Sequence, residues 1–234
     1  AASDLSKAFR EIARAVEAES GAKIELTFGS SGLLAKQIAE GAPFDVFASA
    51  NVGFARAAAK SGACDDATQA YARGRLVLYC PSGVPGGGLQ GLGRLRKIAI
   101  ANPEHAPYGV AAMEAVQRLG LARPGGARAE NLVFASNVGE CLQFARSGNV
   151  DCAFVSKALV RGEVPPKVLE VPEELHAPIV QAMVLCSGGA TPGDRAAAVA
   201  FSEYVRGERG QRVLAAYGFG PAAPPAPASR PADS

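Results

Sequence analysis

Histidine is nearly absent from this 234-residue chain: His105 and His176 are the only two. Five cysteines occur, Cys64, Cys80, Cys141, Cys152 and Cys186, but no C-x-x-C pair. The ligand set of a structural zinc site is therefore missing. The plain reading of the cysteines is small, buried, apolar thiols. One bridge, such as Cys80 to Cys186, stays open, and an odd count leaves at least one thiol unpaired in a monomer. A surplus of one charge is also lacking, with 24 Lys and Arg against 22 Asp and Glu. That excludes the basic stripe of a nucleic-acid binder and a polybasic membrane patch. The best apolar run, Ile179 to Cys186, is far short of the roughly 20 residues that span a bilayer. Ala1 to Arg10 shows no basic region followed by an apolar run, so no signal peptide is visible; a processed chain has the same appearance.

Catalytic patterns are missing too. Gly29-Ser30-Ser31-Gly32 is not followed by the Gly-Lys-Ser/Thr of a phosphate-binding loop. Its register also fails the G-x-S-x-G nucleophile elbow. The two histidines lie near prolines in loops and read as solvated surface residues, not general bases. Gly83 to Gly88 lacks the strand-to-helix context and acidic partner of a dinucleotide site. Asp45 and Asp151 are far apart, and nothing pairs them for acid–base work. The chain reads as a non-enzyme without a cofactor.

What is present is ample core material, with 48% hydrophobic residues and 20% charged ones. Leu5, Phe9, Ile12 and Val16 recur at helical spacing, which predicts a helix from Asp4 to Ser20 stopped by Gly21. Lys23 to Phe28 alternates as a strand. Thereafter strand, loop and helix alternate. Strands are expected at Val46–Ala48, Arg75–Cys80, Lys97–Ala101, Asn131–Phe134, Cys152–Val155 and Ile179–Cys186. Helices are expected at Leu33–Ala39, Val52–Ser61, Leu89–Leu95, Tyr108–Leu119, Val138–Ser147, Asp194–Val205 and Glu208–Tyr217. This alternation predicts an α/β fold with mixed, mostly parallel sheets and ligands at strand carboxyl ends. From Pro221 to Ser234 the chain is rich in Pro and Ala and is expected to be a disordered tail.

Three junctions share one chemistry, a small polar residue at a helix start with little charge: Ala2-Ser3-Asp4, Gly29-Ser30-Ser31-Gly32 and Ser136-Asn137-Val138. A helix N-terminus offers unpaired N–H groups and about half a positive charge. Several such ends converging would bind an oxyanion with no Lys or Arg. Taken singly, Ser3, Ser31 and Asn137 also read as ordinary N-caps.

Several long motifs then carry a resemblance. They are Ala1-Ala2-Ser3-Asp4-Leu5, Phe28 to Gly32, Leu34 to Ile38, Gly41 to Ala50, Ala101 to Gly109 and Ala216 to Phe219. In this order they closely resemble the periplasmic molybdate-binding proteins of ABC importers, from Ala1 to Phe219. The resemblance implies two Rossmann-like lobes of the type II periplasmic-binding-protein fold, closing over one tetrahedral oxyanion. The first lobe would hold residues 1–79 and 179–220 and the second 80–178, with crossings near Cys80-Pro81 and Ala177-Pro178. Ser3 and Ser31 would supply hydroxyls and backbone donors, and Tyr108 and Val138 backbone N–H groups. Ser156 stands where some members carry a tyrosine; its hydroxyl is shorter, so this fifth candidate either reaches through a water or the site lacks that contact. Asn51 replaces a usual aspartate, a change without a functional reading. Members begin with a further strand ahead of the Ala-Ser segment; none precedes it here, which suggests a trimmed chain and leaves an expected gap in the first sheet.

The expected ligand is molybdate or tungstate, and the expected partner is the membrane permease of an ABC importer. A monomer in the periplasm is expected, without nucleic acid. The alternatives are another inorganic oxyanion, such as sulfate, phosphate or chromate, an organic acid, or the ligand-sensing domain of a transcription regulator. No helix-turn-helix is seen for the last. An organic carboxylate would usually recruit an Arg, and none lies in the three loops.

Overall fold

The computed structural model describes residues 1–84, 86, 88–120, 131–188 and 191–222. Helix α1, Ser6–Ser20, follows a 3-10 turn at Ser3–Leu5. It buries Phe9, Ile12 and Val16 and stops at Gly21, whose φ of 70° suits a residue without a Cβ. Next come α2 (Ser31–Ala39), β1 (Val46–Ser49), α3 (Val52–Lys60), β2 (Gln69–Gly74) and β3 (Leu76–Tyr79). A 3-10 stretch, Gly88–Arg94, leads to β4 (Ile98–Ala101), α4 (Pro107–Arg118), β5 (Leu132–Ala135), α5 (Val138–Arg146), β6 (Cys152–Ser156) and β7 (Val168–Glu170). The chain closes with β8 (Ile179–Leu185), α6 (Pro192–Arg206), α7 (Glu208–Ala216) and a two-residue β9 (Gly220–Pro221).

The strands form two sheets, ordered β1-β8-β2-β9 and β5-β4-β6-β3-β7. The α/β, two-lobed expectation holds, but parallel pairing is the minority. Among the described residues only β4 with β5 and β4 with β6 run parallel; the other five pairings are antiparallel. Long strand β8 reaches the first sheet from the far end of the sequence and pairs antiparallel with both β1 and β2. Strands β2, β7 and β9 were not foreseen. They are an edge or near-edge set with little apolar alternation, such as Gln-Ala-Tyr-Ala-Arg-Gly in β2.

The lobe boundary moves accordingly. Leu76–Tyr79 was assigned to the first lobe, yet β3 pairs with β6 and β7 in the second sheet. The chain therefore crosses at Gly74-Arg75, not at Cys80-Pro81. Gly74 suits that crossing because a Cβ there would lie 2.1 Å from the Tyr108 hydroxyl oxygen. The chain returns to the first sheet between β7, which ends at Glu170, and β8, which starts at Ile179.

Lys23 to Phe28 is also corrected. It runs beside the chain start but forms no ladder among the described residues, where one isolated parallel bridge joins Ala2 and Gly29. Ala2 N–H donates to Ala48 O at 2.8 Å, and Gly29 N–H donates to Ala1 O at 3.2 Å. Beyond these bonds an open groove of about 470 Å³ separates residues 23–27 from β1, with Ile24, Leu26, Phe44 and Val46 on its walls. A strand needs a neighbour along its length to satisfy its backbone, and this segment has one only at its end. Of the Pro- and Ala-rich tail, residues from 223 onward lie outside the described part; Pro221 itself pairs at a sheet edge.

Two disulfides replace the expected free thiols. Cys64 bonds Cys186 in the first sheet, Cys80 bonds Cys152 in the second, and Cys141 is free and buried. The bridge left open from sequence, Cys80 to Cys186, is not formed, because its partners belong to different sheets. Among the described residues no helix is long and apolar enough to cross a membrane, and no cluster of three His, Cys, Asp or Glu could hold a metal.

Candidate functional site

Four helical starts meet between the sheets. The small cavity they enclose, about 10 Å³, is lined by Ser3, Ser31, Tyr108 and Val138 together with Asp4, Ser30 and Asn137. All four of the first group are buried, at 8%, 1%, 3% and 4% exposure. Ser31 and Val138 open α2 and α5, and Tyr108 follows Pro107 at the start of α4. Amides at such positions have no acceptor inside their helix. None of the three finds one elsewhere among the described residues.

The serine hydroxyls are not caps. Ser31 Oγ accepts the Ala50 N–H at 3.0 Å, and Ser3 Oγ accepts the Gly139 N–H at 3.3 Å. Each oxygen is thus held as an acceptor while its own proton stays free to be donated. The Ser3 amide is different from expectation: it is already bonded to Gly29 O at 3.0 Å, so Ser3 brings a hydroxyl alone. Asn137 is the ordinary cap of the three, accepting from the Gly139 and Glu140 amides.

Ser156 is not brought to the cavity. Its hydroxyl lies 3.0 Å from the Tyr108 hydroxyl and accepts the Ala158 N–H. A serine is too short to reach past Tyr108, so it supports that ring from behind. Asn51, likewise, serves as the N-cap of α3, accepting from Phe54 N–H at 2.8 Å.

Among the described residues no Lys, Arg or His lines the cavity; its one carboxylate is that of Asp4. Asp4 is fully buried and accepts from Gln181 Nε2 at 2.7 Å, while Oδ1 has no partner among the described residues. Burial pushes its carboxyl up to about 7, against the hydrogen bond from Gln181 that pulls it down. Sequence reasoning placed Asp4 only at the start of the first helix. Its signal, a carboxylate inside an otherwise neutral helix start, could have been weighed.

Both histidines are also placed otherwise than expected. His176 is 5% exposed, and His105 is half-buried with Nδ1 2.8 Å from Ser30 Oγ. They are covered because they sit where the lobes meet and where the chain crosses back, not on open loops.

What this arrangement can do is hold an anion by dipoles. Amide and hydroxyl protons point into a low-dielectric gap, where each hydrogen bond to a charged oxygen is stronger than a neutral one. No buried cation has to be desolvated.

Comparison with known proteins agrees with this geometry. Residues 1–220 match the model of the family described as bacterial extracellular solute-binding protein. The molybdate-binding protein ModA of Rhodobacter capsulatus is 32% identical over 221 residues, 93% of this chain and 85% of that protein. The periplasmic molybdate-binding protein of Azotobacter vinelandii superposes with a TM-score of 0.83 at 28% identity, covering 93% of this chain and 96% of that one. The sulfate-binding protein SubI of Mycobacterium tuberculosis has a TM-score of 0.68 at 15% identity, a likeness of fold alone. With its amide-lined cleft between two sheets and a family match over nearly its whole length, the chain belongs to the bacterial extracellular solute-binding proteins.

Proposed function

We propose that the protein binds molybdate, and tungstate nearly as well, between its lobes and delivers it to the membrane permease of an ABC importer. The observation that carries this reading is the cavity of amides and hydroxyls with no cationic side chain. Such a site suits a small inorganic dianion and not an organic acid, which would call for an arginine. Its binding-protein role, as opposed to an enzymatic one, is supported by relatives that are themselves molybdate-binding proteins. The periplasm suits two disulfides, which persist in oxidising compartments. We read the working form as a monomer.

Ser3 and Ser31 donate through their hydroxyls, and Ser31, Tyr108 and Val138 through their amides. Selection against sulfate then follows from size. Donors fixed by helix geometry for a larger tetrahedron leave a smaller one underbonded. Molybdate and tungstate are nearly equal in size, so the site separates them poorly.

Thermal unfolding with each ion in turn tests this, because a ligand that binds only the folded form raises the midpoint. Molybdate and tungstate should raise it together, and sulfate and phosphate little. An equal or larger shift with sulfate would replace the ligand; no shift with any of the four would remove the reading.

A further inference from the structure

We propose that His105, held by Ser30 and Gly32, is the catch that keeps the two lobes closed and so sets how long a bound oxyanion stays. This rests on the binding-protein reading above. Ser30 and Gly32 belong to the first lobe, at the start of α2; His105 belongs to the second, in the loop between β4 and α4.

Three bonds join them. Gly32 N–H donates to His105 O at 2.8 Å, Ser30 Oγ lies 2.5 Å from the same oxygen, and Ser30 Oγ lies 2.8 Å from His105 Nδ1. A hydroxyl has one proton, and the shorter contact, between two oxygens, requires it. Ser30 therefore donates to the carbonyl, and Nδ1 carries the proton that it donates to Ser30 Oγ. That assigns the ring its Nδ1–H form in the closed state.

Ser30 lies at the edge of the cavity, but its hydroxyl is spent on His105 and on nothing else among the described residues. It stands at the N-cap position of α2, yet its side chain makes no cap bond, and it is 3% exposed. Gly32 is required by close approach: a Cβ would lie 2.8 Å from His105 Cβ and 2.9 Å from its Cα and O. Backbone atoms cannot step aside as a side-chain end could.

The catch is also coupled to the site by chain connectivity. Ser30 precedes Ser31, and His105 lies three residues before Tyr108. Seating the catch brings the hydroxyl and amide of Ser31 into register with the amide of Tyr108. The loop that carries His105 is itself braced, by Asn102 N–H to Ala135 O at 2.8 Å and Ala106 N–H to Asn102 O at 2.9 Å.

Stopped-flow binding of molybdate to the full chain tests the proposal. Ser30→Ala and His105→Ala should speed release by about 5–20-fold, Ser30→Ala more, with association within about 2-fold of wild type. Ligand-free melting should not move. His105→Asn, whose amide nitrogen can stand in for Nδ1, should restore slow release, and His105→Gln should not. Gly32→Ala should keep the molybdate-bound protein at a larger radius of gyration in small-angle scattering. Release at the wild-type rate in both alanine variants overturns the catch, as does an effect confined to association or to ligand-free melting. Wild-type protein that binds no molybdate sinks the functional reading instead. The catch is then judged by the same release and scattering measurements with whichever of tungstate, sulfate or phosphate raises the melting midpoint, and it falls with the functional reading if none of them does.

Discussion

On the proposed reading the two lobes approach the ion with different equipment. The first offers side-chain hydroxyls, Ser3 and Ser31, beside the one amide of Ser31; the second offers backbone amides alone, those of Tyr108 and Val138. A hydroxyl can be removed by substitution with little else disturbed. An amide survives every substitution except one, so the second lobe's half of the grip is protected from ordinary mutation and readable only by proline.

The largest effect follows from that difference. Val138→Pro deletes a donor at the first position of α5, where proline is well tolerated. Asn137 before it is extended, φ −157° and ψ 171°, which suits a residue preceding proline. Affinity for molybdate by calorimetry should fall by about 100-fold or more, while the helix content by circular dichroism is kept. Ser31→Ala is the first-lobe counterpart and should cost about 1.5–3 kcal/mol, since the lost bond is to a charged group. Ser156→Ala should leave affinity within about 3-fold, because that hydroxyl serves the Tyr108 ring. Equal losses at Ser31 and Ser156 would break the comparison.

The disulfides sharpen it on the side of stability. Cys64–Cys186 spans 122 residues and Cys80–Cys152 spans 72. On the chain-entropy account each is worth about 2–5 kcal/mol, the longer loop slightly more. Replacing Cys64 and Cys186 by alanine should therefore lower the urea midpoint somewhat more than replacing Cys80 and Cys152.

The smallest effect is a pH dependence. Asp4 is held at about 7 when folded, chiefly by burial, against an unfolded value near 3.9. Below about pH 4 both states are protonated and the group's contribution is fully present. It is lost as pH rises through about 7, because the folded protein must then either hold the proton or bury a charge. Asp4→Asn should consequently gain on wild type as pH rises. By pH 8 its melting point should be higher by about 2–10 °C, roughly 1–3 kcal/mol. A difference independent of pH would remove the buried charge from the account.

The second half of the molecule was the more legible in sequence, for a physical reason. Strands β4, β5 and β6 are neighbours in chain order, linked by α4 and α5, and each is announced by an apolar run followed by a helix start. The first sheet is assembled from residues 46–49, 69–74, 179–185 and 220–221, and no local pattern reveals that Ala70 will face Ala182. Lys23 to Phe28 alternates as a strand should, yet alternation reports a preferred face and not a partner. At the site, Ser3 and Ser31 could be read as anion donors or as caps. The contacts that count against caps, Gly139 and Ala50 donating to their hydroxyls, are long-range and spacing does not encode them. Ser30 and His105, 75 residues apart, are invisible for the same reason.

The most direct measurement is anomalous diffraction at a molybdenum absorption edge from crystals grown with molybdate. One strong peak is predicted between the Ser3 and Ser31 hydroxyls and the Ser31, Tyr108 and Val138 amides, with no Lys or Arg nitrogen in hydrogen-bond reach. A peak held by lysine or arginine side chains, or lying outside the cleft between the two sheets, would contradict the account.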